Sequence, residues 1–309
     1  MTQAARPTRQ RLKLNILRAH NLKKLSWLLH GFSTRSGGFS RAYGQDDLNL
    51  GFTQDDPPAT VERNRAAFLR GVGAVTHPRH SGKANGSLLP LITLRQVHSD
   101  IIHHVDSHLV DSAANGPLTG DGLITATPGL LVGIQTADCL PIVIVDARHR
   151  AVGVFHAGWR GTVQRIAEKG VGEMQRWFGS RPQDLKAAIG PGIGGCCYEV
   201  GEEVRTKFES QFSYAASLFR EVKDSDPVRE KYPLLFLTAR APGHGELPPK
   251  IYLDLAEANR QQLLAVGVLK KNIEALPLCT NCRTDLLFSY RGEKGKTGRL
   301  MAMAGIRAQ

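Results

Sequence analysis

The chain has 309 residues, 41% hydrophobic and 22% charged, a composition that excludes a fibrous, collagen-like or wholly disordered protein. No apolar run reaches the roughly 18 to 20 residues that span a bilayer, so no membrane helix is expected. The formal charge of +12 is unevenly placed: residues 1–24 hold seven Lys or Arg and no acid, leaving about +5 for the other 285 residues.

That start predicts a basic, partly disordered extension over residues 1–24, ahead of one domain over 25–309. A nucleic-acid arm or a transit peptide is the competing reading. Charge confined to the tail, with no aromatic stacking platform, disfavours nucleic acid. No apolar core of secretory length follows the basic start. The five cysteines are Cys139, Cys196, Cys197, Cys279 and Cys282. An odd count with one vicinal pair is no disulfide framework, and a reducing, cytoplasmic setting is expected.

In chain order, "WLLHGFSTRSGGFS" reads as a strand and a glycine-rich turn. Residues 58–71 read as a helix with a proline-marked start. Residues 77–89 read as a surface loop, and "LITLRQVHS" as a strand with His98 at its far end. "DGLITATPG" and "LLVGIQT" are strands broken at Pro128-Gly129. In "DCLPIVIVDARHRAVGVFH", two apolar runs flank the polar turn "DARHR", which predicts an antiparallel hairpin. "TVQRIAEKGVGEMQRWFG" has helical spacing. A strand, a glycine-rich loop and a helix follow in "DLKAAIGPGIGGCCYEVGEEVRTKF". Residues 223–250 read as a long loop, "LDLAEANRQQLLAVGV" as a helix, and "NIEALPL" and "DLLFSYRG" as strands. The alternation predicts one α/β domain in which helices cover a mixed sheet.

The hairpin carries the first chemistry. An antiparallel partner returns beside the start of its neighbour, so Cys139 and His156 both fall at the open end. His149, in the turn, points away from them. Two readings stay open: a Cys-His nucleophile pair, or part of a metal site. Adding His98 makes a three-ligand set with one open position, the arrangement that catalytic zinc prefers. "HAGWRG" then places two glycines and Arg160 at a strand-to-helix turn, where an anion can be held. Asp138 adjoins Cys139, either orienting it, exchanging protons, or simply solvated at a strand end. "CTNC" has half a zinc spacing, but its only partners are the vicinal Cys196 and Cys197, so structural cysteines are expected. Histidine spacing and the four methionines give copper little support.

"STRSGGFS", "LNLG", "RQVHS", "TADCLPI", "FHAGWRG", "IGPGIGGCCYEV", "CT" and "FSYRGEKGKTGR" occur in order between about residues 27 and 306. Together they resemble the YfiH-like, or laccase-domain, family of purine nucleoside phosphorylases. The resemblance implies a YfiH-type α/β sandwich and zinc on His98, Cys139 and His156. It also implies phosphorolysis of adenosine, inosine and methylthioadenosine, and deamination of adenosine. Nucleoside and phosphate are then the small-molecule partners, on a monomer or homodimer. Arg35, Asn49 and Gln96 join Arg160 as substrate-binding candidates from the matched motifs. Two alternatives accompany the family: a peptidoglycan editing factor hydrolysing UDP-MurNAc-L-Ser, and a copper polyphenol oxidase. The tail, 77–89 and 223–250 depart from the family pattern without interrupting a motif.

Overall fold

Seven consecutive buried residues at Leu140–Asp146, and seven more at Ala151–Ala157, set the architecture. A strand buried on both faces must be covered on both, here by a second sheet and by helices. The computed structural model describes residues 13–76, 86–107, 116, 118–223, 231 and 248–308.

The chain opens with β1 (Ile16–Leu17), a 3-10 turn at His20–Leu22, β2 (Leu28–Ser33), β3 (Ser36–Ser40) and α1 (Pro58–Val72). Short strands β4 (Leu91–Thr93) and β5 (Ile102–His104) precede β6 (Gly122–Thr125), β7 (Leu131–Thr136), β8 (Leu140–Asp146) and β9 (Ala151–Ala157). Helices α2 (Trp159–Val163) and α3 (Ile166–Phe178) lead to β10 (Leu185–Ile189), β11 (Glu199–Val200) and α4 (Glu202–Gln211). The last elements are β12 (Phe219–Val222), β13 (Lys250–Leu253), α5 (Leu255–Ala265), β14 (Ile273–Ala275) and β15 (Leu300–Ile306).

The fold is mixed α/β, as the sequence predicts, with its main strands in two sheets. One has the order β1-β2-β15-β7-β4 and the other β14-β10-β8-β9-β6-β5; β11, β13 and β12 form a small third sheet. The two large sheets face each other through Phe32, Val132, Ile134 and Ala302 on one side and Val143, Val145, Val152 and Val154 on the other. The outer face of the six-stranded sheet packs Ile142, Ile144 and Phe155 against Ile166, Val171, Phe208 and Leu263 of the helices. The outer face of the five-stranded sheet packs Leu29, Met301 and Met303 against Phe68, Leu69 and Val72 of α1. Side chains alternate along β8, so one strand serves two cores.

The β8–β9 hairpin is antiparallel, with Leu140 opposite Ala157 and Pro141 opposite His156. The helix expected at 58–71 is α1, ended by Gly73 in the left-handed conformation.

Three expectations need correction, and one strand lay outside them. The extension does not run to residue 24: Ile16 and Leu17 pair with β2, and Ala19 and Leu22 are buried. The helix after His156 is broken in two, because Arg165 is left-handed and turns its guanidinium to Glu168 and the Gln211 carbonyl. "DLLFSYRG" forms turns, not a strand. The C-terminal strand β15, central to its sheet, was not foreseen. Its sequence, "LMAMAGI", lacks the β-branched and aromatic content that marks strands. Residues 1–12, most of the 77–89 loop and most of 223–250 lie outside the described residues.

Candidate metal centre

His156 sits at the open end of β9, and Cys139 immediately precedes β8, so the hairpin delivers both side chains to one point. His98 is not on a strand: it lies on a tight turn past β4, with φ of 60°. Its backbone N–H and those of Val97 and Ser99 donate to the carboxylate of Asp121 at 3.1, 3.2 and 2.6 Å. The Ser99 hydroxyl donates to the same group at 2.7 Å. Asp121 also accepts from Nδ1 of His156 at 2.7 Å, which leaves Nε2 of that ring facing Cys139 and His98. One buried carboxylate thus shapes the His98 turn and sets the His156 tautomer.

The ligand atoms of His98, Cys139 and His156 all lie within 4.8 Å of one another. The Cys139 Sγ to His98 Nε2 distance is 3.7 Å. Zinc–sulfur and zinc–nitrogen bonds of ordinary length at a tetrahedral angle separate such atoms by about 3.6 Å. The residues therefore fit a divalent ion with three protein ligands. Gly158 makes the approach possible, since a Cβ there would stand 2.9 Å from both the Cys139 sulfur and the His98 ring.

The electrostatics agree. Burial disfavours a Cys139 thiolate, but the His156 charge and hydrogen bonds from His156 and His98 outweigh it and lower the thiol pKa. Burial likewise disfavours charge on His156, but Cys139 and Asp121 outweigh it and raise its pKa. Asp121 is held at about 2: burial opposes its ionisation, and the bonds from His156 and Ser99 overcome that. The site is thus disposed to hold a thiolate beside a positive charge at His156, which suits a Cys-His pair and equally a divalent cation in place of the proton.

The centre opens on a cavity of about 760 Å³. Gln96, Arg160 and Asp138 line it, together with Tyr198, Tyr290, Arg291, Lys294 and Arg299, none of which was singled out from the sequence. Arg160 is exposed in the first turn of α2, its guanidinium over the Trp159 ring, and has no carboxylate partner among the described residues. Gln96 spends both ends of its amide on the backbone of Gln135, at 2.7 and 2.8 Å, and so shapes the wall.

Asp138, at φ of 89°, accepts from the hydroxyls of Thr280 and Ser289 and from the Arg291 amide at 2.6 to 2.7 Å. It anchors the loops that carry Tyr290, Arg291 and Lys294, with its oxygens already occupied.

Arg35 and Asn49 do not line the cavity. Arg35 is committed to Asp47, Glu293 and the Thr284 carbonyl. Asn49 is fully buried, bonded to Asp56, Gly51 and the Arg299 amide. Both brace the cavity wall from behind. His149 caps its own turn through Asp146, at the opposite end of the hairpin.

The family model of the multi-copper polyphenol oxidoreductase laccases matches residues 29–307. The chain belongs to this family. It is 36% identical over 295 residues to a purine nucleoside phosphorylase of Deinococcus radiodurans, covering 95% of this chain and 93% of that one. It is 35% identical over 213 residues to adenosine deaminase RL5 from an unidentified prokaryote, covering 68% and 72%. The crystal structure of the hypothetical protein YfiH of Bacillus licheniformis superposes with a TM-score of 0.75 at 30% identity, over 94% of this chain and 96% of that one. The chain shares the mixed α/β fold of that structure. Among the described residues no helix is long and apolar enough to cross a membrane.

Proposed function

We propose that this laccase-domain chain is a zinc-dependent purine nucleoside phosphorylase, with deamination of adenosine as a second reaction at the same site. The observation that carries the reading is the convergence of His98, Cys139 and His156 at the floor of a cavity rimmed by cations. Arg160, Arg291, Lys294 and Arg299 line it, against a single carboxylate, Asp138, whose acceptors are occupied. Such a rim favours an anionic co-substrate. Trp159, Tyr198 and Tyr290 offer flat faces on which a purine can stack. The names of the two relatives support the same chemistry.

His98, Cys139 and His156 would hold the zinc, whose Lewis acidity would be available to a polarised oxygen or a bound water. The chain's own part is orientation and charge. Arg160, with a fork of donors and no competing carboxylate among the described residues, holds phosphate beside the ribose C1′. Asp121 fixes the His156 ring and the His98 turn, so the ligands need little reorganisation. Copper oxidase chemistry gains little from this geometry. Among the described residues a single candidate ligand cluster contains histidine, whereas a multicopper enzyme needs several.

Incubation of the purified chain with adenosine and phosphate, followed by product analysis, tests the reading. Adenine with ribose 1-phosphate is the expected outcome, with inosine accumulating from the second reaction. Neither product, together with turnover of UDP-MurNAc-L-Ser, would replace it with the editing reaction.

A further inference from the structure

Away from the histidine centre, two loops bring four thiols together. The turn after β10 carries the vicinal Cys196 and Cys197, and the turn after β14 carries Cys279 and Cys282. All four sulfurs lie within 4.8 Å of one another. The sequence reading favours structural cysteines over a joint site, because the vicinal geometry of Cys196 and Cys197 suits a tetrahedral ion poorly. The structure removes that objection. Residues 195–197 form a tight turn, closed by the Cys197 amide on the Gly194 carbonyl at 2.9 Å, so consecutive thiols face the same way.

The distances suit a metal better than a disulfide. Cys282 Sγ lies 3.3 Å from Cys197 Sγ and 3.5 Å from Cys196 Sγ. A disulfide needs about 2.0 Å. The edge of a tetrathiolate zinc tetrahedron, from ordinary zinc–sulfur bonds, is about 3.8 Å. The Gly194 amide donates to Cys279 Sγ at 3.2 Å, the kind of bond that stabilises a thiolate ligand. Cys279 and Cys282 themselves have the C-x2-C spacing of structural zinc sites. Unmetallated, four thiols packed this closely repel one another on ionisation, which a divalent cation relieves.

We propose that Cys196, Cys197, Cys279 and Cys282 form a second, structural metal site, closed by four thiolates and selective for zinc or a similarly soft divalent ion. Its role follows from what the two turns carry. Cys279 bridges to Gly192, and the Thr280 amide donates to the Gly192 carbonyl at 3.0 Å, so the turns already lie side by side. Tyr198, next to Cys197, lines the cavity, and the Thr280 hydroxyl, next to Cys279, is bonded to Asp138. A metal there cross-links segments more than 80 residues apart and pins one wall of the substrate cavity.

The test uses the full chain bearing His98→Ala and Cys139→Ser, which removes the histidine centre and isolates the thiolate site. One zinc per chain by native mass spectrometry is expected. Replacement by cobalt is expected to give intense thiolate charge-transfer absorption with the visible bands of a tetrahedral ion. Adding Cys196→Ser and Cys282→Ser should abolish both. The proposal is overturned if the isolated-site chain holds no metal, if its cobalt spectrum lacks thiolate charge transfer, or if thiol titration after unfolding finds a disulfide in place of four free thiols. Should the combined variant not fold, the wild-type chain decides: two zinc ions per chain support the site, and a wild-type chain that holds a single zinc, lost on His98→Ala, overturns it.

Discussion

Asp121 Oδ1 lies 2.7 Å from Nδ1 of His156 and 3.1 Å from the backbone nitrogen of His98, so a single oxygen holds two of the three candidate ligands. These residues are far apart in sequence, and each sits on a different element. The arrangement explains how an otherwise unsupported turn can keep His98 at a positive φ: the carboxylate collects three successive amides from it. The same relationship makes Asp121 a positioning residue for the candidate metal centre. In Asp121→Asn the side-chain amide turns an N–H toward groups that are themselves donors. Zinc affinity is expected to fall by roughly 10- to 100-fold, the usual penalty for losing such a partner. A competition titration against a chelator measures this; an unchanged affinity would sink the assignment.

Gly158 tests the packing of the same centre. Its backbone, at φ −74° and ψ 172°, is open to any residue, so Gly158→Ala carries no conformational penalty of its own. What the methyl meets is the Cys139 sulfur and the His98 ring, each at 2.9 Å. We expect zinc content and turnover to drop together while the unfolding temperature shifts by only a few degrees. Full zinc occupancy in the alanine variant would show that the ligands lie elsewhere.

The convergence of the three candidate ligands was largely legible in the sequence, and what was not has a physical reason. Cys139 and His156 are joined by one hairpin whose apolar runs and polar turn fix its register, so local pattern sufficed. His98 came within reach because the metal chemistry asked for a third ligand. Asp121 was missed because a short Gly-Asp-Gly segment ahead of β6 looks like an ordinary turn, and its five donors come from residues 22 to 35 positions away. Arg35 and Asn49 were misplaced in the opposite sense: they belong to matched motifs, yet their partners commit them to bracing the wall. The fold class followed from alternating strands and helices, but β15 did not, since Ala, Gly and Met at the centre of a sheet reflect close sheet packing rather than propensity.

Arg160 separates the two proposed reactions. Phosphorolysis needs an anion held beside the sugar, whereas deamination consumes only water. A charge-assisted hydrogen bond contributes about 1.5 to 3 kcal/mol, so Arg160→Ala should raise the KM for phosphate by about 10- to 100-fold. Deamination of adenosine should fall much less. Arg160→Lys should recover only part of the loss, because a lysine offers no fork of parallel donors. Equal losses in both reactions would assign Arg160 to the nucleoside and not to phosphate.

His30 predicts an acid limit on stability that is independent of the site. It lies on β2, in the interior of the five-stranded sheet, 2% exposed, with Nε2 buried and without a hydrogen-bond partner among the described residues. Burial, with the nearby Arg18 charge adding to it, lowers its pKa to about 4. A folded-state pKa below the unfolded value means that the unfolded chain binds the extra proton first as the pH falls. The stability contributed by neutral His30 is therefore fully present above about pH 6.5 and is lost progressively down to about pH 4. The loss is on the order of 3 kcal/mol across that window. His30→Leu takes up no proton, so its denaturant-unfolding free energy should decline less steeply between pH 6.5 and 4 than that of the wild type. Parallel declines over this window would show that the histidine is already solvated in the folded chain.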